Sequence, residues 1–160
     1  MEIREMKEHE AEQVAKLHND LAYYIQKETG DAYFDFGILD LIGITKHLEE
    51  YTNHPTRKIY VAVEKGEIVG FIAGEIIRCY LPISSIRKVG YISGAYTLPA
   101  YRGRGIMKKL ESYIINFFKQ NEIAYVEVNF ITDNSIAKNC WGDMGYSTFR
   151  EQARKKISDM

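Results

Sequence analysis

Residues 96–110 read Tyr-Thr-Leu-Pro-Ala-Tyr-Arg-Gly-Arg-Gly-Ile-Met-Lys-Lys-Leu, and here the chain concentrates its chemistry. A β-prone run from Gly90 to Leu98 stops at Pro99, which cannot donate a ladder hydrogen bond. A basic loop with two glycines follows, and Ile106, Leu110, Ile114 and Phe117 then recur at helical spacing. Strand, glycine loop and helix in that order make an anion site. The first-turn N–H groups point outward, and the helix macrodipole adds about half a positive charge there. Gly103 and Gly105 carry no Cβ to hold a phosphate off the backbone, and Arg102 and Arg104 offer planar donors that match phosphate oxygens. A Walker loop is excluded: it ends Gly-Lys-Ser/Thr, and Gly105 is followed by Ile106 and Met107. A dinucleotide fingerprint needs a third glycine where Lys108 stands, although Glu127 lies at a fitting separation for a ribose contact. A plain strand-to-helix turn with two glycines is the remaining alternative.

A second constellation lies downstream, Asn134-Ser135-Ile136-Ala137-Lys138-Asn139-Cys140-Trp141-Gly142-Asp143-Met144-Gly145-Tyr146. With it, the chain resembles the GNAT family of N-acetyltransferases. Arg102-Gly103-Arg104-Gly105-Ile106-Met107 is similar to the family's Gln/Arg-x-x-Gly-x-Gly/Ala loop, with Met107 at the last motif position, so that its side chain must point away from a pyrophosphate. Tyr91 to Tyr101 looks like the family's fourth strand and its run-in. The downstream segment resembles Asn-x-x-Ala-x-x-x-Tyr-x-x-x-Gly-Phe, with Trp141 for the Tyr and Tyr146 for the Phe. The resemblance covers Lys58 to Phe149 well and the first fifty residues loosely.

The resemblance implies an α/β (α+β) fold in one domain over residues 1–160. Its mixed, mostly antiparallel central sheet would have six to seven strands, about four flanking helices, and a splay between strands 4 and 5. It implies transfer of an acetyl group from acetyl-CoA directly to a primary amine of a small molecule or protein. A non-catalytic acyl-CoA-binding sensor or partner module of the same fold is the alternative. Such transfer must hold the pyrophosphate, align the pantetheine, polarise the thioester and move protons. Arg102, Gly103, Arg104, Gly105, Ile106 and Met107 would take the first task. Backbone near Ala95, Tyr96 and Thr97 would pair with the pantetheine as an added strand does, and an N–H there would polarise the thioester. Asn134 matches a cofactor-contacting position and reads equally as a helix cap. Trp141 cannot serve as a true acid, and either packs on the pantetheine sulfur or fills the core.

The fourth strand offers Tyr91, Ser93 and Tyr96 but no carboxylate. The candidate catalytic residues are therefore Glu75 on the neighbouring strand, Tyr96, and Glu127, which shares a strand face with Asn129. For Glu75 an exposed strand-end charge, and for Glu127 a surface ion pair, are the plain alternatives. Aromatic Tyr23, Tyr24, Tyr33, Phe34, Phe36 and Tyr80, with acidic Glu28, Asp31 and Asp35, would suit a cationic amine or simply pack the helix pair. His9, His18, His47 and His54 show no partner pattern and receive no role.

Composition sets outer bounds. The 160 residues suit one domain with a proper core, and 46% apolar with 27% charged residues is an ordinary soluble balance. A net charge of −1 gives no global field favouring nucleic acid or an anionic membrane. The basic Arg150, Arg154, Lys155 and Lys156 read as a solvated edge or tail. Cys79 and Cys140 form neither a metal spacing nor a disulfide framework. With no signal-like or membrane-spanning run, the expectation is a cytoplasmic protein, with no metal and with homodimerisation left open.

Periodicity supplies the elements. A first strand spans Glu2 to Met6, and a helix from Glu8 to Gly30 has Val14, Leu17, Leu21 and Ile25 on one face. Ile38, Leu41, Ile42, Thr45 and Leu48 predict a second helix. Strands 58–63 and 68–77 flank the turn Glu64-Lys65-Gly66-Glu67, and a further strand runs from Arg87 to Leu98. Helix 104–118, strand 123–130 and helix 135–144 follow. One or two final strands are expected from Tyr146 onward.

Overall fold

The computed structural model describes residues 1–157. They form two compact units, one from Met1 to Asn129 and one from Phe130 onward. The first holds a five-stranded sheet in sequential order: β1 (Glu2–Glu5), β2 (Arg57–Glu64), β3 (Glu67–Arg78), β4 (Lys88–Thr97) and β5 (Val126–Val128). The first four pair antiparallel, and β5 lies parallel to β4. Two helices, α1 (Ala11–Thr29) and α2 (Leu41–Glu49), precede β2, and α3 (Ile106–Gln120) makes the crossover between β4 and β5.

Local chemistry explains these boundaries. Lys65 and Gly66 both have positive φ (52° and 81°), the conformation of a tight hairpin whose twist suits the flanking strands. Gly30 ends α1 in the left-handed region at φ 55°, its N–H on the Gln26 carbonyl. The Asp40 side chain accepts from Gly43 N–H at 3.0 Å and so starts α2 at Leu41. The helix is therefore shorter than its apolar pattern suggests, and Ile38 lies outside it, fully exposed.

The two sheet faces are covered differently. Ile59, Val61, Phe71, Ala73 and Tyr96 join Val14, Ala15, Leu17, Leu48 and Tyr51 in one core under α1 and α2. On the other face α3 supplies the buried Leu110, Ile114, Phe117 and Phe118. Gly74 and Gly90 let α3 lie close: a Cβ on either would come within 2.8 Å of Ile114 or Phe118 respectively.

The second unit contains α4 (Ser135–Asp143), capped by Asn134, whose Oδ1 accepts from Ala137 N–H at 3.0 Å. Gly145, at φ 96°, turns the chain after it, and Trp141 is buried with Tyr146 edge-on to its ring. Among the described residues the sheet thus has five strands rather than six to seven. Residues 146–157 form none: β-prone Tyr146, Thr148 and Phe149 do not join the ladder, and residues 147–157 are exposed, so propensity there is not backed by burial. The fifth strand is also shorter than its apolar run, pairing only over three positions of β4.

One buried ion pair fixes the entry to α1. Arg4 donates to both Glu10 carboxylate oxygens, at 2.9 and 2.6 Å, and Lys7 N–H adds a third bond at 2.8 Å. These bonds outweigh burial and hold the Glu10 carboxyl at about 2. Its folded pKa lies below its unfolded value of 4.5, so the stabilisation is present above pH 4.5 and lost as the pH falls toward 2. Urea unfolding across that window should show a steeper loss for the wild type than for Glu10→Gln. Gly90→Ala, overfilling the contact with Phe118, should destabilise the fold by about 1–3 kcal/mol in the same measurement.

Candidate active site

The site begins where β4 loses its neighbour. On the β3 side, Ala73 pairs with Gly94 and Gly74 with Ile92, leaving Ser93 as one extra residue in β4. Before this bulge, Gly90 N–H donates to the Tyr125 carbonyl on the β5 side, so Gly90 and Ile92 turn their backbone groups toward β5. After it, Leu98 N–H donates to the Val69 carbonyl of β3. By alternation Tyr96 also faces β3, and Ala95 and Thr97 face the other edge. The extra residue thus moves the outward set from even to odd positions. Pairing with β5 ends at Ile92, so the two strands part at the bulge, and among the described residues no strand pairs with the Ala95 and Thr97 edge. Side chains pin the bulge: Ser93 Oγ donates to the Ala73 carbonyl, and Tyr51 Oη lies 3.4 Å from Ser93 Oγ.

The open edge leads directly into the glycine loop. A short 3-10 turn, Pro99–Tyr101, is followed by Gly103 at φ 77° and Gly105 at φ 74°, with Gly105 as the N-cap of α3. No atom lies within 4 Å of the place a side chain on either glycine would occupy. The first helical bond is Lys109 N–H to the Gly105 carbonyl, so the N–H groups of Ile106, Met107 and Lys108 precede the helical ladder. Ile106 is buried and anchors the helix start, while Met107 is half-buried.

Arg102, though exposed, folds back on the strand end. Its Nε donates to the Thr97 carbonyl at 3.0 Å, and its guanidinium lies 5.5 Å from the Tyr24 ring centre and 5.3 Å from that of Tyr96. Arg104 is exposed over the Tyr101 ring at 5.1 Å. Tyr96 is itself buried, and burial pushes its phenol up despite the nearby guanidinium.

The candidate carboxylates lie on the α1/α2 face of the sheet. Arg57, Glu75, Tyr91 and Glu127 occupy one register row across β2, β3, β4 and β5. With about 4.8 Å between strands, Glu75 and Glu127 flank Tyr91 roughly 10 Å apart. Glu75 is held by Arg57 Nε at 3.4 Å, and Asn129 Nδ2 donates to Tyr91 Oη at 3.3 Å. Asp31 and Asp35 accept from the N–H groups of Tyr33 and Gly37, shaping their own loop.

Sequence reading missed two features at this place. The bulge had a signal, Gly94 inside a strand pattern. His18 had none, because only the packing of α1 brings it to Gly94: its Cδ2 lies 3.8 Å from where a Gly94 Cβ would sit, and its ring is 6.4 Å from that of Phe71. Asn134 and Trp141 belong to the second unit, where Asn134 caps its helix and Trp141 is buried.

A model of the acetyltransferase (GNAT) family matches residues 11–146. The chain belongs to the GNAT family. Acetyl-CoA is accordingly its co-substrate, and acetyl-CoA-dependent N-acyl transfer is its enzyme class. No match arises among curated protein sequences. Among solved structures, the tetramutant of the BH1408 protein from Bacillus halodurans superposes with a TM-score of 0.85 at 22% identity, covering 98% of this chain and all of that one. The aminoglycoside 6'-N-acetyltransferase AAC(6')-IG from Acinetobacter haemolyticus is similar at a TM-score of 0.76 and 17% identity, covering 99% of this chain and 100% of that one. AAC(6')-Iy, solved with a bisubstrate analogue of CoA and acetylneamine, gives 0.78 and 18%, covering 99% of this chain and 98% of that one. At such identities the likeness establishes the fold. No described helix is long and apolar enough to cross a membrane.

A cofactor role for residues 102–107 predicts that acetyl-CoA binding suffers when Gly105 is replaced. Gly105→Glu forces a side chain into the left-handed region, at about 1–2 kcal/mol, and sets a negative charge beside the helix start. Calorimetric titration with acetyl-CoA should show binding weakened at least about tenfold, with far-UV circular dichroism unchanged.

Proposed function

We propose that this GNAT protein acetylates a primary amine of a cationic small molecule or protein by direct transfer from acetyl-CoA, with residues 1–160 acting as a single domain. The observation that carries the reading is the unpaired Ala95–Thr97 edge, which starts at the Ser93 bulge and runs into the glycine loop. An amide-bearing pantetheine arm can add to such an edge as a strand would, with the pyrophosphate at the first-turn N–H groups of α3 and the thioester toward the bulge. The backbone groups of Ala95 and the N–H of Thr97, rather than Tyr96, are offered on that edge, the Thr97 carbonyl being taken by Arg102, and a backbone N–H there polarises the thioester carbonyl. Residues 102–107 hold the phosphates, Arg104 by charge and Arg102 by tying the loop to Thr97.

Glu75 and Glu127 face the acceptor from either side of Tyr91 and attract its ammonium group. Tyr96, kept protonated by burial, serves as a hydroxyl under Arg102 rather than as a base. Asn134 and Trp141, in the second unit, stand at the cofactor-contacting positions of the family motif, and coenzyme A thiolate is a good enough leaving group to depart without an ionising residue at position 141. The acidic, aromatic character of Glu28, Asp31, Asp35, Tyr23 and Tyr33, together with the aminoglycoside acetyltransferases among the similar structures, supports a polyamino acceptor. Trp141 in place of the family's Tyr favours a second reading, a non-catalytic acyl-CoA sensor.

Thiol release from acetyl-CoA, monitored with neamine, spermidine and tyramine as acceptors, separates the two. Release that depends on an amine supports the enzyme. Acetyl-CoA binding without release from any amine in a broad panel supports the sensor. Glu75→Gln and Glu127→Gln should each raise KM for the productive amine about threefold to thirtyfold while leaving acetyl-CoA affinity unchanged, as expected for loss of one charge contact of roughly 1–2 kcal/mol.

A further inference from the structure

We infer that Tyr91 gives its phenolic proton to the departing coenzyme A thiolate, at the mouth of the gap where β4 and β5 part. This rests on the acetylation reading above, with the thioester at the bulge, and supplies the acid that Trp141 cannot be.

Register places the phenol. Ile92 and Val128 are the last paired residues of β4 and β5, so Ser93 and Asn129 are the first beyond the pairing. Tyr91 stands one residue before that limit, yet its Oη lies 3.3 Å from Asn129 Nδ2. The side chain therefore leans across from β4 to the residue at which β5 departs. Its hydroxyl sits at the opening, with Glu75 and Glu127 in the same row on either side. An amine drawn in by those carboxylates meets the thioester beside this hydroxyl. Tyr91 is half-buried, so the group is held in place and still within reach of a bound substrate.

Hydrogen-bond roles then single it out. A hydroxyl has one proton to give, and the others near the bulge are engaged or turned away. Ser93 Oγ donates to the Ala73 carbonyl, which leaves it to accept from Tyr51 Oη at 3.4 Å. Tyr96 lies past the bulge, buried against Arg102. Thr97 Oγ1 is buried on the α3 face, 3.2 Å from where a Gly70 Cβ would sit. Tyr91 differs from all of these. Its oxygen accepts from the Asn129 amide, and its proton has no acceptor among the described residues. The same amide bond stays in place on the phenolate oxygen once the proton has gone, where it is stronger.

The charged and titratable groups brought to this face are Glu75 on β3, held by Arg57 of β2, Glu127 on β5, His47 of α2, Glu50 and Tyr51 after it, and His18 of α1. The buried side chains of α3 pack on the opposite face.

The step balances. The neutral amine attacks the thioester carbon and gives an adduct with a positively charged nitrogen. The C–S bond breaks, its electron pair stays on sulfur, and the sulfur takes the Tyr91 proton. The proton lost by the nitrogen passes through water to the phenolate and restores Tyr91. An amide and the free thiol result.

The test follows kcat against pH for the wild type, Tyr91→Phe, Asn129→Ala and Tyr91→3-fluorotyrosine, with whichever of neamine, spermidine and tyramine is acetylated. Acetyl-CoA affinity is measured by calorimetry alongside. Tyr91→Phe should keep acetyl-CoA affinity and amine KM within about twofold and lose about 10²-fold in kcat, the low end for a general acid because a thiolate leaves readily. The basic limb of the wild-type profile should vanish with it. Fluorination makes the phenol more acidic, so Tyr91→3-fluorotyrosine should move that limb to the lower pH at which its own absorbance titrates. Asn129→Ala breaks the same hydrogen bond but keeps the phenol, and should retain most of kcat and the limb. Wild-type kcat in Tyr91→Phe, a limb that fluorination leaves unmoved, or an Asn129→Ala loss equal to that of Tyr91→Phe would overturn this inference alone. Absence of wild-type turnover with every amine would overturn the acetylation reading and this inference together.

Discussion

The extra residue at Ser93 is the constraint on which the site depends. A β-strand presents alternate backbone groups to alternate sides, so a regular β4 would have offered β5 one continuous set of partners along its length. One inserted residue changes the outward set and ends pairing at Ile92, while β3 continues to hold β4 to Thr97 and beyond. The result is a rigid strand with one free edge. Rigidity comes from β3 and from the core under α1, where Tyr96 and Phe71 lie opposite each other. Availability comes from the parting of β5.

The glycine loop inherits its geometry from that strand. Thr97, Pro99 and Arg102 bring the chain back on itself, and the Arg102 guanidinium ties loop, strand edge and α1 together through Thr97, Tyr96 and Tyr24. Gly103 and Gly105 then accept backbone conformations that other residues resist, so α3 starts with its free N–H groups beside the strand end. Its position over the sheet is fixed by Gly74 and Gly90, which leave room for Ile114 and Phe118. In the proposed cofactor site the recognising groups are therefore mostly main chain, placed by side chains that pack between α3 and the sheet.

That division explains what the sequence discloses. The loop, the helix periods of α1 and α3, the hairpin at Lys65-Gly66 and the family motifs are local patterns and can be read directly. The end of β5 and the fate of residues 146–157 depend on whether a partner strand lies alongside, which propensity does not encode. Ile38 looks helical by spacing, yet the Asp40 cap decides where α2 begins. The Glu75–Tyr91–Glu127 row is set by register across three strands, and His18 meets Gly94 only through packing of α1 on the sheet. No spacing rule connects those positions.

An unpaired strand edge is also a template for unwanted association, because any extended segment from another molecule can complete it. Here the edge is short, begins at a kink and ends at Pro99, and its Thr97 carbonyl is already occupied by Arg102. Those features shorten the foothold that a foreign β-strand would find, so this edge is a weaker template for polymerisation than an uninterrupted strand edge would be.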